Sequence, residues 1–155
     1  MPLISQIDHV NIVADDLPAM VRFYRDVLGM TITKEVTISG EWVERVVGLD
    51  DVKADVVYMS PPEGPRVELI HYHSPVGGSS FEVSQANLRG LRHIAFRVSD
   101  IDAIVKALAN AGVDIIGEVQ QVPDVQVTYA GGVRKRLIYF RDPEGNLLEL
   151  CEYRK

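Results

Sequence analysis

Ile7-Asp8-His9-Val10-Asn11-Ile12-Val13 returns in the second half of the chain as Leu91-Arg92-His93-Ile94-Ala95-Phe96-Arg97. Both runs lead into an acidic cap, Asp15-Asp16 in one and Ser99-Asp100 in the other. An amphipathic stripe follows each cap. The first is Met20, Phe23, Tyr24, Val27 and Leu28, ended by Gly29; the second is Ile101, Ile104, Val105 and Leu108, ended by Gly112. Spacing at i, i+3, i+4 and i+7 between an acidic N-cap and a C-terminal glycine predicts a helix. Pro18 falls in the first turn, where its missing N–H has no partner to lose. An internal repeat decides a fold before any single element does.

Three strand-like runs follow each helix. In the first half they are Thr31–Ser39, Val52–Ser60 and Arg66–Tyr72, with Pro61-Pro62-Glu63-Gly64-Pro65 as the last turn. In the second half they are Val113–Gln121, Val133–Phe140 and Leu147–Tyr153, with Asp142-Pro143-Glu144-Gly145-Asn146 as the matching turn. Each half therefore reads β-α-β-β-β. Residues 1–72 form the first module, 73–90 a connector of Gly, Ser and Pro character, and 91–155 the second module. Glu41–Leu49 reads as a short inserted helix with no obvious counterpart in the second half.

Strand alternation assigns faces. Val10 and Ile12 oppose His9 and Asn11, while Ile94, Phe96 and Val98 oppose His93, Ala95 and Arg97. Val67 and Leu69 oppose Glu68, and Leu148 and Leu150 oppose Glu149. The apolar faces are expected under the helices. His9, Glu68, His93 and Glu149 then project from the other face, one imidazole and one carboxylate from each half. Two neutral imidazoles and two carboxylates suit one divalent ion such as Ni, Zn, Fe, Co or Mn. His71 and His73 are out of phase with Glu68 and are expected at the surface, outside the site.

Bulk properties narrow the function classes. The 155 residues carry a net charge of −6, and nothing resembles the basic stripe that displaces counterions from nucleic acid. No apolar run approaches the roughly 18 residues that cross a bilayer, and Met1-Pro2-Leu3 opens no signal peptide. The single cysteine, Cys151, excludes an internal disulfide and fits a reducing cytoplasm. Its expected role is a small buried apolar residue.

These residues resemble the vicinal oxygen chelate superfamily of glyoxalases, bleomycin resistance proteins and dioxygenases. The resemblance rests on Asp8-His9-Val10 and Phe23-Tyr24-Arg25-Asp26-Val27-Leu28-Gly29-Met30, on Val67-Glu68-Leu69 and Arg92-His93-Ile94-Ala95-Phe96, and on the run from Phe140 to Leu150. It implies an α+β fold in which two βαβββ modules form a cupped eight-stranded mixed sheet with helices outside, usually as a homodimer. The ligand set His9, Glu68, His93 and Glu149 is similar to that of lactoylglutathione lyase at every position. Methylmalonyl-CoA epimerase has Gln in place of Glu68.

The reaction implied is proton abstraction beside a carbonyl of a small-molecule substrate, with Glu149 or Glu68 as the base. Substrate contacts fall to Arg97, Arg89 and Asn11. Val13 and Tyr72 stand where glutathione-dependent lyases carry an Arg and an Asn; Arg89 alone agrees with that pattern. The alternatives are an iron-dependent extradiol-type dioxygenase and a non-catalytic small-molecule-binding resistance protein. Arg134-Lys135-Arg136 is expected as a solvated strand-edge charge cluster, with attraction of an anionic tail such as that of coenzyme A as the second reading. Glu44 reads as an exposed helical residue, with a second base as the other reading.

Overall fold

The computed structural model describes residues 4–78 and 85–155, so part of the expected connector lies outside the described residues. The chain divides into two compact units, Met1–Ser79 and Ser80–Lys155. The first contains β1 (His9–Val13), α1 (Leu17–Arg22) with a π-helical turn (Phe23–Val27), β2 (Thr31–Ser39), α2 (Glu41–Val47), β3 (Lys53–Ser60) and β4 (Arg66–Ser74). The second contains β5 (His93–Arg97), α3 (Ile101–Asn110), β6 (Ile115–Gln121), a 3₁₀ turn (Ala130–Gly132), β7 (Arg134–Arg141) and β8 (Leu147–Arg154). The eight strands form two four-stranded mixed sheets of one topology, β1-β4-β3-β2 and β5-β8-β7-β6. The first strand of each unit runs parallel to the last, and the other pairs are antiparallel. Among the described residues no helix is long and apolar enough to cross a membrane.

The helix boundaries follow the expected caps. Asp16 Oδ1 accepts from Ala19 N at 2.9 Å and Asp100 Oδ1 from Ala103 N at 3.0 Å, each satisfying an orphan donor of the first turn. Gly29 and Gly112 end the helices at φ of 72° and 71°, where a side chain would be strained. One departure is the widening of the first helix over Phe23–Val27, where Leu28 N reaches back to Phe23 O at 3.2 Å. Phe23 and Tyr24 are both buried there, packed edge to face with centroids 5.4 Å apart.

α1 packs on β4, and α3 on β6 and β8. Val67, Leu69, Leu148 and Leu150 are buried on the phase opposite the two Glu residues. The first unit departs from a simple division of faces. Ala54, Val56 and Ile70 form a buried cluster on the Glu68 phase, with Val36, Ile38, Tyr58 and Tyr72 against it. The cause is in β3, whose Ala-Asp-Val-Val-Tyr-Met run is nearly continuous in apolar residues, so both of its faces are buried.

The expectation of a strand-edge cluster at Arg134-Lys135-Arg136 is overturned, because β7 lies inside its sheet between β8 and β6. Alternation also splits the triplet. Lys135 pairs with Glu149, whereas Arg136 pairs with Asp102 and Glu152, and Arg134 with Asp124.

Glu152 is 1% exposed. Its Oε1 accepts from Ile101 N at 3.1 Å, and Oε2 lies 2.7 Å from Arg154 Nε and 3.2 Å from Arg136 Nη1. Burial alone pushes its carboxyl up, but the Ile101 N–H and the two arginines more than offset this, and the pKa falls below the usual 4.5. Depression in the fold means a stabilising contribution complete above the unfolded value and lost as pH falls through the folded one. Glu152→Gln is therefore expected to lower the melting temperature at pH 7 by about 5 °C or more. The gap from the parent protein should narrow below pH 4.5, as followed by circular dichroism. Equal melting at pH 7 would show that this carboxylate caps nothing of consequence.

Candidate metal centre

Each unit brings one imidazole to one carboxylate. In the first, His9 opens β1 and Glu68 sits on the adjacent central strand β4, with His9 Nε2 3.5 Å from Glu68 Oε2. In the second, His93 opens β5 and Glu149 sits on β8, with His93 Nε2 3.3 Å from Glu149 Oε2. The same pairing arises twice because the same parallel register arises twice. Among the described residues no three of His, Cys, Asp and Glu gather as a metal-binding group; each unit supplies two donors.

The surroundings of the two pairs differ. Asp8 Oδ2 lies 2.8 Å from His9 Nδ1, and Arg66 holds the same carboxylate. These contacts, that of His9 first, keep the Asp8 carboxyl below its ordinary value. A carboxylate on Nδ1 orients the ring so that Nε2 faces Glu68. Asn11 donates Nδ2–H to Glu68 Oε1 at 2.8 Å. In the second unit Arg92 stands in the place of Asp8, and His93 rests against the Tyr139 ring with centroids 5.2 Å apart.

Glu149 is 4% exposed and its Oε1 is buried. Lys135 Nζ lies 2.9 Å from Oε1 and is its ion-pair partner. A buried carboxylate is costly without a counter-charge, which Lys135 supplies here. Two ligands about 2.1 Å from one ion and about 90–110° apart hold their donor atoms roughly 3.0–3.4 Å from each other. The 3.3 Å separation in the second unit lies within that range, and the 3.5 Å separation in the first lies just above it. The donor chemistry and the spacing both fit a divalent cation.

Residues 6–150 match the model of the Glyoxalase/Bleomycin resistance protein/Dioxygenase superfamily. The chain belongs to that superfamily. The Escherichia coli (strain K12) protein YaeR is 28% identical over 161 residues, covering 96% of this chain and 97% of that protein. A crystal structure of a glyoxalase family protein from Bacillus cereus matches with a TM-score of 0.85 and 28% identity, over 99% of this chain and 97% of that one. The trypanothione-dependent glyoxalase I of Leishmania major shares the fold, with a TM-score of 0.63 and 20% identity over 96% and 86% of the two chains.

Within this superfamily member, the remaining expected residues fall as follows. Asn11 is bound to Glu68, so it holds a ligand candidate rather than standing free for substrate. Arg97 lies over the Tyr153 ring at 5.1 Å. Arg89 is exposed in the turns before β5, and no described contact ties it to the His93–Glu149 pair. Cys151 is a buried free thiol whose pKa is pushed up by burial. His73 is exposed and paired with Asp55, whereas His71 is half-buried with Nδ1 3.0 Å from Ala14 O. Glu44 is half-buried and accepts from Val52 N at 3.3 Å, a loop anchor instead of an exposed charge.

Sequence reasoning missed Tyr58 and Tyr139, which lie directly across from Glu68 and Glu149. A hydrogen bond to Glu68 first, then burial, raises the Tyr58 hydroxyl, whereas burial and then Glu149 raise that of Tyr139. Both therefore stay protonated as donors beside a carboxylate. The signal was present, because Tyr58 and Glu68 are equidistant from Glu63, and Tyr139 and Glu149 from Glu144. In the second hairpin Asp142 pins that symmetry by accepting from Glu144 N, Asn146 N and Asn146 Nδ2 at 3.0, 2.9 and 2.8 Å.

Proposed function

We propose that this chain is a divalent-metal-dependent lyase or isomerase that moves a proton beside a carbonyl, with His9 and Glu68 of the first unit and His93 and Glu149 of the second as its candidate metal ligands. The observation that carries this reading is the twice-built pair of imidazole and carboxylate, at 3.5 and 3.3 Å, on equivalent strands of the two units. When bound, the ion supplies Lewis acidity to vicinal oxygens of the substrate, stabilising charge that develops only in the transition state.

The chain's own residues do the rest. Glu149 or Glu68 removes the proton and returns it, a contribution of roughly 10²–10⁴-fold for a positioned base. Asn11 holds Oε1 of Glu68 and leaves Oε2 towards His9. Asp8 orients His9, and Tyr58 and Tyr139 donate towards their carboxylates. Arg97 and Arg89 are the candidate contacts to a substrate anion. Val13 and Tyr72 give a glutathione moiety no polar side chain of the kind lyases place there, which favours a small α-oxygenated carbonyl compound or an acyl thioester. We further read the protein as a cytoplasmic homodimer, a reading supported by the superfamily and by the one reduced cysteine.

The test has two parts. Elemental analysis after loading is expected to find one divalent ion per chain, and solvent deuterium is expected to wash into the α-carbon of a hemithioacetal or an acyl-CoA ester. Oxygen uptake with a catechol in place of deuterium exchange would move the protein to the dioxygenases. No bound metal after loading would leave a binding protein. Asp8→Asn is expected to weaken the ion's affinity about 10–100-fold, the usual effect of removing a carboxylate behind a ligating His; calorimetric titration reads this directly.

A further inference from the structure

The two units share topology and register, so each is a control for the other. Arg97, Lys135 and Tyr153 of the second unit occupy the positions of Val13, Ala54 and Tyr72 in the first. The registers agree: Ala54 lies across from Tyr72 and Lys135 across from Tyr153, while Val13 pairs with Ile70 and Arg97 with Cys151. In the first unit this patch is apolar, with Ala54 and Ile70 in a buried cluster that packs Tyr72. The fold therefore has no need of cations at these positions. The second unit nevertheless places two there, Arg97 Cζ 5.1 Å and Lys135 Nζ 5.9 Å from the centroid of the same Tyr153 ring.

Two cations on one ring repel each other and are served here by a single anion. Lys135 takes Oε1 of Glu149 at 2.9 Å, and among the described residues no carboxylate lies within ion-pair reach of Arg97. Lys135 is largely buried, with a side-chain exposure of 19%, so water does little to screen it. Glu149 is also a ligand in the reading proposed above, on which this inference rests. A divalent cation on Glu149 takes over its neutralisation. The Lys135 ammonium is then left beside a compensated carboxylate and a second cation, with no anion of its own.

We propose that Lys135 and Arg97 form an anion subsite on the Tyr153 ring, released for use when a divalent ion replaces Lys135 as the counter-charge of Glu149. The substrate class is then narrower: an α-oxygenated carbonyl compound whose tail ends in a carboxylate or a phosphate. Metal and anionic substrate bind with mutual reinforcement, and by linkage each tightens the other by the same factor. Lys135 opposes the ion in the empty protein and favours the anion in the loaded one.

The test titrates the metal-free protein with Co²⁺, read by calorimetry and visible absorption. The loaded protein is then titrated with dihydroxyacetone phosphate against dihydroxyacetone, and with 2-oxoglutarate against 2-oxopentanoate. The compound with the anionic tail in at least one pair is expected to bind about 10-fold more tightly than its partner with an uncharged tail, and the pair that responds identifies phosphate or carboxylate. Lys135→Met is expected to tighten Co²⁺ about 3-fold or more and to erase most of the tail preference, whereas Lys135→Arg keeps that preference. Arg97→Gln is expected to erase the preference with Co²⁺ affinity unchanged. The subsite is overturned if Co²⁺ binds but neither pair shows a preference, if the preference survives both substitutions, or if Lys135→Met weakens Co²⁺ as loss of a merely structural partner would. Failure of the unaltered protein to bind Co²⁺ defeats the metal reading and this inference together.

Discussion

Glu149→Gln is expected to abolish high-affinity binding of a divalent ion and, with it, exchange of the substrate proton. Glutamine keeps the volume of the side chain and removes its charge, so packing around β8 changes little. The loss falls on three roles at once. Glu149 is an anionic donor 3.3 Å from His93 Nε2, it neutralises Lys135 at 2.9 Å, and it is a candidate base. An amide is a poor ligand for a first-row ion and takes up no proton at neutral pH. Ion affinity should fall more than about 100-fold and turnover by at least the roughly 10²–10⁴ of a lost base. His93→Ala should reproduce the loss of ion binding without touching the base. Calorimetry on both variants decides it: undiminished binding in both would falsify the ligand assignment. A far-ultraviolet dichroism spectrum guards against unfolding, since leaving the largely buried Lys135 unpaired carries its own cost.

Phe140→Ala is expected to cost about 3–5 kcal/mol of stability, a large share of the roughly 5–15 kcal/mol that holds a typical domain together. Phe140 is fully buried on β7 inside the sheet, in phase with Ile138 and across from Leu148 of β8. Interior packing leaves little room to collapse around a deleted ring. The melting temperature should fall by roughly 10 °C. Because Tyr139 and Lys135 ride on the same strand, ion binding should weaken as β7 loosens. Trp42→Ala is the contrast, since Trp42 is 60% exposed on α2 and its removal should lie within about 0.5 kcal/mol of neutral. Equal melting temperatures for the two variants would refute this placement of the core.

Local chemistry made much of the architecture legible in advance. Asp16, Asp100, Gly29 and Gly112 cap and stop helices through bonds and backbone angles that span a few residues, so their meaning does not depend on the rest of the chain. The period of two in Ile7–Val13 and Leu91–Arg97 likewise settles which side chains share a face. The repeat then does what no single motif can, because a His and a Glu that recur in phase point to one chemistry.

The misses have a common cause. Arg134-Lys135-Arg136 looked like one charged cluster, yet each side chain takes a different partner because β7 lies inside a sheet. That is a statement about neighbours far away in sequence. Tyr58 and Tyr139 were passed over because their importance lies in the cross-strand register. The same holds for Asp8, whose value comes from contact with His9 and the distant Arg66. The second apolar layer on Ala54, Val56 and Ile70 was missed because a continuous apolar run does not say what covers each of its faces.

By itself, then, the sequence determined the two βαβββ units, their helix boundaries and the phase of His9, Glu68, His93 and Glu149, since these follow from periodicities and caps written within a dozen residues. Only the tertiary structure decided that each His meets its Glu, that Glu149 is buried against Lys135, and that Lys135 and Arg97 share one aromatic ring. Those facts depend on strand order and register, which are set by the free energy of packing the whole sheet. No short stretch of chain contains that energy.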